Sequence, residues 1–185
     1  MRIGLYGGSF NPIHIAHINL AEYAISNLSL DLLIFIPCYQ SVDKPISEYE
    51  SAKDRVKMIE LVLPEKCIVS TYEIDLGVPV QSIKTIEYFR DLYKNDELFF
   101  LIGEDSLLGI HTWEGFRNIE KLVNLVVFRR KLSSSNFDNK FNLKLIWMNN
   151  ELWDFSSKEV RNKGKLDMLD NKVKEYIKNH KIYNI

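Results

Sequence analysis

His14 and His17 stand three residues apart just downstream of Gly7-Gly8-Ser9-Phe10-Asn11-Pro12. If a helix has begun by His14, the two imidazoles share one face of its first turn. Imidazoles there donate hydrogen bonds to a polyphosphate and help to neutralise its charge. Two glycines bring an anion close to the backbone. A helix N-terminus adds unpaired N–H groups and a partial positive charge. Gly-Gly alone is compatible with an ordinary tight turn, and a lone histidine says little. Their combination straight after a strand points to a phosphate site. No third ligand lies nearby in sequence, so no metal site is expected from the histidine pair.

Two further groups carry chemistry. Gly103-Glu104-Asp105 follows an apolar run, and Trp113 comes eight residues after Asp105. A carboxylate just past a strand end accepts hydrogen bonds from a ribose diol, or else caps the following turn. Trp113 offers a flat face to a heteroaromatic ring, with about 1 kcal/mol of cation–π attraction for a pyridinium, or else packs in the core. Farther on, Ser156-Ser157 opens a helix with Arg161 one turn later, a second anion site able to face the first. On its own, Ser156 is equally an N-cap and Arg161 a solvated helix residue.

These residues need a frame to hold them. Arg2–Tyr6 reads as a buried strand, followed by a helix with apolar spacing over Ile18–Ala24. Leu32–Ile36 is an unbroken apolar run ended by Pro37, which suits a strand covered on both faces. A loop over Cys38–Glu50, a helix over Ser51–Leu63 stopped by Pro64, and a third strand over Ile68–Ile74 follow. A helix over Ser82–Tyr93 precedes a fourth strand at Leu98–Ile102 and one or two short helices through Leu122. Leu125–Phe128 and Leu143–Trp147 read as strands, and Ser157–Lys163 and Lys172–Lys178 as C-terminal helices. Ser133–Asn136 is a polar loop. Strands alternating with helices predict an α/β fold, a doubly wound parallel sheet with C-terminal helices. Ligands in such sheets bind at the carboxyl ends of the strands. Gly7-Gly8, residues 37–44, Gly103–Asp105 and Arg129-Arg130 share that edge.

Composition sets outer bounds. The chain has 185 residues, 46% hydrophobic and 26% charged, with a net charge of −1. That fits one globular domain over residues 1–185 with a sizeable core. The balance gives no reason to expect nucleic acid or an acidic membrane as partner. No run is long and apolar enough for a membrane span, and the N-terminus does not read as a signal peptide. Cys38 and Cys67 make neither a disulfide framework nor a metal spacing and are expected as small core residues, which suits a reducing cytoplasm.

The residues also carry a resemblance. Gly7-Gly8-Ser9-Phe10-Asn11-Pro12-Ile13-His14-Ile15-Ala16-His17 is similar to the G-G-T/S-F-D-P-x-H-x-G-H signature of the nucleotidylyltransferase superfamily. Asn11 stands for the usual Asp and Ala16 for the usual Gly. Leu101–Leu108 with Thr112-Trp113 resembles the I-G-x-D-S/x-L…W segment of bacterial nicotinate mononucleotide adenylyltransferases. Phe155–Arg161 resembles I-S-S-T-x-I/V-R, with Lys158 for Thr. Gly77–Thr85 matches G-P-S-Y-T-x-D-T loosely, with Ser82 for a Thr and Lys84 for the Asp. Lys44 matches, loosely too, the basic residue of P-P-H-K.

The resemblance implies a Rossmann-like nucleotidylyltransferase fold and adenylyl transfer from ATP to nicotinate mononucleotide. It implies His14, His17 and Arg161 as the catalytic set. Gly7, Gly8, Ser9, Phe10, Lys44, Gly103, Ser156 and Ser157 then hold ATP and its phosphates. Asp105, Trp113, Ser82 and Thr85 hold the mononucleotide, with Asp105 on ribose and Trp113 stacked on the ring. Mg²⁺ arrives with ATP, since no carboxylate cage for it is visible. Pantetheine-phosphate adenylyltransferase shares the first and last motifs but has no need of Asp105 and Trp113. A non-catalytic nucleotide-binding regulatory module is the alternative of another class. Whether the chain is a homo-oligomer is left open.

Overall fold

A computed structural model describes residues 1–41, 49–130, 139–152 and 156–183. Its centre is a six-stranded, all-parallel sheet in the order β3-β2-β1-β4-β5-β6. The strands are β1 (Arg2–Gly8), β2 (Leu32–Pro37), β3 (Cys67–Val69), β4 (Glu97–Gly103), β5 (Asn124–Phe128) and β6 (Leu145–Met148). The helices are α1 (Ile15–Asn27), α2 (Ala52–Glu60), α3 (Tyr72–Leu76), α4 (Ser82–Leu92), α5 (Glu104–Leu108), α6 (Phe116–Leu122), α7 (Ser157–Lys163) and α8 (Asn171–His180). β1 pairs with β2 on one side and β4 on the other, so the strand order reverses at β1. Crevices in doubly wound sheets open at such a reversal.

Strand alternation builds two cores. Ile3 and Leu5 of β1 join Leu98, Phe100 and Ile102 of β4 under α4 and α6. Tyr6, Phe35, Phe99 and Leu101 face the other way, under α1, α2 and α8. The amphipathic face of α4 puts Ile83, Ile86 and Phe89 inside, and α8 buries Val173 and Ile177. Caps set several starts: Ser51 accepts from Asp54 N at 3.0 Å to begin α2, and Asp170 accepts from Lys172 N at 2.8 Å to begin α8.

Three details differ from the sequence reading. The third strand ends at Val69, and Tyr72–Leu76 is the helix α3. Ser70 Oγ accepts from Tyr72 N at 3.3 Å and turns the chain. Tyr72 then stacks on Tyr88 with ring centroids 3.8 Å apart, a tertiary contact that overrides the β-rich pattern. α2 stops at Glu60, ahead of Pro64, with the tighter bond Val62 N to Ile59 O. Cys38 and Cys67 are half-buried free thiols rather than full core residues. Burial pushes the Cys67 thiol up to about 12. The loop at Ser133–Asn136 lies outside the described residues. Among those described, no helix is long and apolar enough to cross a membrane.

Candidate active site

β1 delivers Gly7 and Gly8 to the carboxyl edge of the sheet, where Gly8 pairs with Pro37. Phe10 follows with φ of +44°, a region bulky L-residues rarely adopt. Its ring folds back over the backbone: a Cβ at Gly8 would lie 3.0 Å from the Phe10 ring, closer than ordinary contact, so the buried ring would have to give by a few tenths of an ångström. The ring is 2% exposed and meets Tyr6 edge-on at 5.5 Å and His17 at 5.1 Å.

The buried Arg55 of α2 fastens this turn. Its Nη1 donates to Ser9 O at 2.8 Å and Cys38 O at 2.7 Å, its Nη2 to Tyr39 O at 3.0 Å, and its Nε to Glu50 O at 3.1 Å. From α7, Arg161 Nη1 donates to Asn11 O at 2.6 Å and Ser157 Oγ donates to Pro12 O at 2.9 Å. Ser156 is the N-cap of α7, its hydroxyl accepting from Glu159 N at 3.3 Å. These three sequence-named residues thus hold the turn and its supporting helix, and other residues line the cleft.

His14 is the N-cap of α1 rather than part of its first turn. The two imidazoles stack with centroids 3.6 Å apart at 18°. His14 N donates to His17 Nδ1 at 3.2 Å, so the neutral His17 ring carries its proton on Nε2. Burial, with the nearby Arg130 charge, holds His14 down at about 3. Burial, then His14 and Arg130, holds His17 well below the ordinary histidine range. In the free protein the pair therefore offers uncharged N–H donors, and the cation beside it is Arg130. His14 Nδ1 is buried with no hydrogen-bond partner among the described residues.

A cleft of about 650 Å³ runs from this turn across the ends of β1 and β4. Gly7, Gly8, Ser9, Phe10 and His17 line it together with Ser82, Thr85, Gly103, Asp105 and Trp113; Phe10 belongs to the core on one face of the sheet and Trp113 packs on the core of the other. Trp113 stands edge-on to Phe100 at 6.5 Å, packs in part on the core and lines the cleft. Gly103, not Asp105, is the N-cap of α5. Asp105 instead pairs with Arg130 Nε at 3.4 Å, and Glu104 Oε2 accepts from Arg130 N at 3.0 Å. Thr85 Oγ1 donates to Glu73 Oε1 at 2.6 Å in a buried contact, and burial raises the Glu73 carboxyl. A smaller depression lined by His14, Arg129, Arg130 and Asn150 adjoins the cleft through His17 and Leu20. Asn150 closes on the Arg129 backbone in both directions, at 2.9 and 3.0 Å.

Sequence reasoning puts Arg129-Arg130 on this edge without giving it a role, and misses Arg55, Glu73 and Asn150. Arg55 and Asn150 serve the site through backbone carbonyls far away in sequence, which leave no motif. Glu73 lies within the stretch read as strand, where its reach toward Thr85 is hidden. Lys44 lies outside the described residues. Among those described, no three His, Cys, Asp or Glu side chains gather as a metal site.

The cytidylyltransferase-like family model matches residues 5–163. A probable nicotinate-nucleotide adenylyltransferase of Fusobacterium nucleatum is 34% identical over 188 residues, covering 96% of this chain and 97% of that one. A Borreliella afzelii protein of the same name is 36% identical over 169 residues, covering 88% and 84%. The chain belongs to the cytidylyltransferase-like family, in its nicotinate-nucleotide adenylyltransferase branch. The family fold is also seen in a solved structure, Plasmodium falciparum nicotinic acid mononucleotide adenylyltransferase complexed with NaAD. It superposes with a TM-score of 0.78 at 20% identity, over 99% of this chain and 97% of that one. A structure named putative nicotinate-nucleotide adenylyltransferase, from Vibrio parahaemolyticus, superposes at 0.69 with 18% identity, over 98% and 94%. At those identities the likeness carries the fold, and it matches the six-stranded parallel sheet found here.

Proposed function

We propose that this chain transfers the adenylyl group of ATP to nicotinate mononucleotide, giving nicotinate adenine dinucleotide and pyrophosphate, as a cytoplasmic enzyme of NAD biosynthesis. The observation that carries the reading is one cleft with two chemically distinct ends. The glycine turn, His17 and Arg130 form an anion-binding end; Trp113, Asp105, Ser82 and Thr85 form an end suited to a ring and a ribose. Asp105 and Trp113 on the same wall favour a pyridine nucleotide over phosphopantetheine as acceptor.

In this reading an oxygen of the mononucleotide phosphate attacks the α-phosphorus of ATP in line. A new P–O bond forms as the bond to the β-phosphate bridging oxygen breaks, and pyrophosphate carries away the electron pair. The attacking oxygen is already anionic, so no base or protein nucleophile is needed. The protein contributes positioning and charge stabilisation. His17 Nε2–H donates to the phosphates, with His14 beside it, and backbone N–H groups at Gly7–Phe10 add further donors. The triphosphate brings negative charge next to the imidazoles and raises their proton affinity, so charge develops where the reaction needs it. Arg130 leaves Asp105 to meet the phosphates, which frees the Asp105 carboxylate for the ribose diol. Arg161 and Ser157 act through the turn they hold, and Gly103 gives the nucleotide a close approach to the end of β4. Mg²⁺ enters with ATP as part of the substrate and neutralises charge on the departing pyrophosphate.

The test is pyrophosphate release with MgATP and, in separate reactions, nicotinate mononucleotide, nicotinamide mononucleotide and 4′-phosphopantetheine. Turnover with the first, less with the second and none with the third is expected. His17→Ala, assayed where circular dichroism shows it folded, lowers kcat by about 100-fold, the scale of one lost transition-state donor. Near-normal turnover in that variant overturns the phosphate role, and turnover with phosphopantetheine alone overturns the choice of acceptor.

A further inference from the structure

Asn11, where the superfamily signature carries Asp, is 2% exposed, and its side chain is committed. Oδ1 accepts from Glu50 N at 3.1 Å and from the Tyr183 hydroxyl at 2.8 Å, across 172 positions of sequence. The Asn11 carbonyl is held by Arg161. Tyr183 itself sits at φ +63°, two residues after Lys181 at +53°. A large aromatic in the left-handed region persists only where surrounding contacts over-determine it. Those contacts are present. Tyr183 packs on the core beneath α1, α2 and α8, and α8 is tied to α2 by Tyr176 Oη donating to Asp54 Oδ1 at 2.8 Å. Burial and the neighbouring Glu50 push the Tyr183 phenol far up, so it remains a donor at any working pH.

We propose that Tyr183 is a positioning residue for ATP: its hydroxyl fixes the Asn11 side chain and so the turn that leads from Gly8 to His14. The proposal rests on the assignment of that turn to ATP. Without the hydroxyl, Asn11 keeps the Glu50 donor but loses the link to the segment after α8. The turn then samples other arrangements, and ATP binds only the fraction with the right one, which weakens its apparent affinity in proportion.

Tyr183→Phe removes one oxygen and nothing else. MgATP binding is measured by calorimetry without acceptor, together with KM and kcat for each substrate and the melting temperature. The expected result is a Kd and KM for MgATP raised about three- to tenfold, the scale of one buried hydrogen bond. The KM for nicotinate mononucleotide stays within twofold and the melting temperature within about 3 °C. Asn11→Ala gives a similar rise, and the double variant is no worse than the weaker-binding single variant, because both cut one path. Unchanged MgATP affinity in Tyr183→Phe overturns the proposal. So does an equal rise in both KM values together with a large drop in melting temperature, which marks a merely structural role. Wild-type protein that binds MgATP but turns over no acceptor defeats the adenylyl-transfer reading, while the calorimetric comparison still decides the case for Tyr183.

Discussion

The two ends of the cleft are built differently. At the glycine turn, hydrogen bonds arrive from α2 through Arg55, from α7 through Arg161 and Ser157, and from the segment after α8 through Tyr183. Phe10, Asn11, Ile13 and His14 are all buried. The opposite wall is open. The segment that leads to it is loosely held, with nothing within 4 Å of where a Cβ at Gly77 would stand and Val78 55% exposed; of the residues that line it, Gln81 begins α4 without a side-chain cap bond, while Thr85 is buried. Trp113 is half-buried, and the Asp105–Arg130 pair faces solvent. The contrast follows from what each end must hold. Charge on a transferring phosphoryl group is stabilised by donors fixed beforehand, because reorienting them during reaction costs energy. A ring and a ribose are held by stacking and a few hydrogen bonds, so that wall can be ordered by the ligand it receives.

Arg55→Met should break the contrast most severely. The guanidinium is 1% exposed and its hydrogen bonds go to the carbonyls of Ser9, Cys38, Tyr39 and Glu50. Methionine fills much of the space but leaves those part-buried acceptors without their donors and removes the hydrogen-bond ties from α2 to the turn. A loss of about 3–5 kcal/mol in unfolding free energy is expected, read from urea denaturation. A loss below about 1 kcal/mol means that the turn is not held from α2, and the difference between the ends then rests on α7 and Tyr183 alone.

The histidine pair gives a second lever, and its sign is fixed. Both imidazoles bind protons more weakly folded than unfolded, mainly through burial. Near pH 7 and above, both states are neutral. As pH falls below the unfolded value near 6.5, the unfolded chain takes up protons that the native state refuses, and stability drops. With its folded value at about 3, His14 alone accounts for about 2 kcal/mol of that loss by pH 5, and His17 adds in the same direction. Glu73 works the other way at lower pH, since its raised carboxyl takes its proton first in the folded state. Bound MgATP should shift the acid unfolding midpoint to lower pH, and nicotinate mononucleotide should do so much less. Equal protection by the two ligands would show that the histidines do not belong to the ATP end.

What the sequence discloses and what it hides divide along the same line. The glycine turn, the His14/His17 pair, the strand alternation and the Ser156 cap are local patterns, and all can be read within a few residues. The doubly wound parallel class follows from them, because strands alternating with helices join by right-handed crossovers, but the order β3-β2-β1-β4-β5-β6 emerges only in the folded chain. Arg55 reaching Ser9 and Tyr183 reaching Asn11 span 46 and 172 positions. A guanidinium bound to carbonyls leaves no partner residue to notice. Tyr72–Ile74 continues the strand read from Ile68 yet opens the helix α3, because β3 is a short edge strand and the Tyr72–Tyr88 stack and the Glu73–Thr85 bond pull the segment over α4. Ser157 and Arg161 are visible as a motif, but their hydrogen bonds to the turn emerge only once the chain is folded.

Trp113→Ala should have the smallest effect, confined to one end. The indole meets Phe100 edge-on and is only half-buried, so its loss opens no sealed cavity and should change the melting temperature by no more than about 3 °C. Stacking and cation–π attraction on a pyridinium are worth about 1–1.5 kcal/mol, which is about tenfold in KM for nicotinate mononucleotide. MgATP affinity measured without acceptor should stay within twofold, because the turn's supports come from α2, α7 and Tyr183 and none runs through Trp113. If MgATP affinity fell in parallel, the walls would be coupled, and the natural carrier would be the Asp105–Arg130 pair, which reaches from the ring end toward the histidines. Selective loss at the ring end would instead mean that the protein fixes one substrate by its fold and orders its own wall around the other.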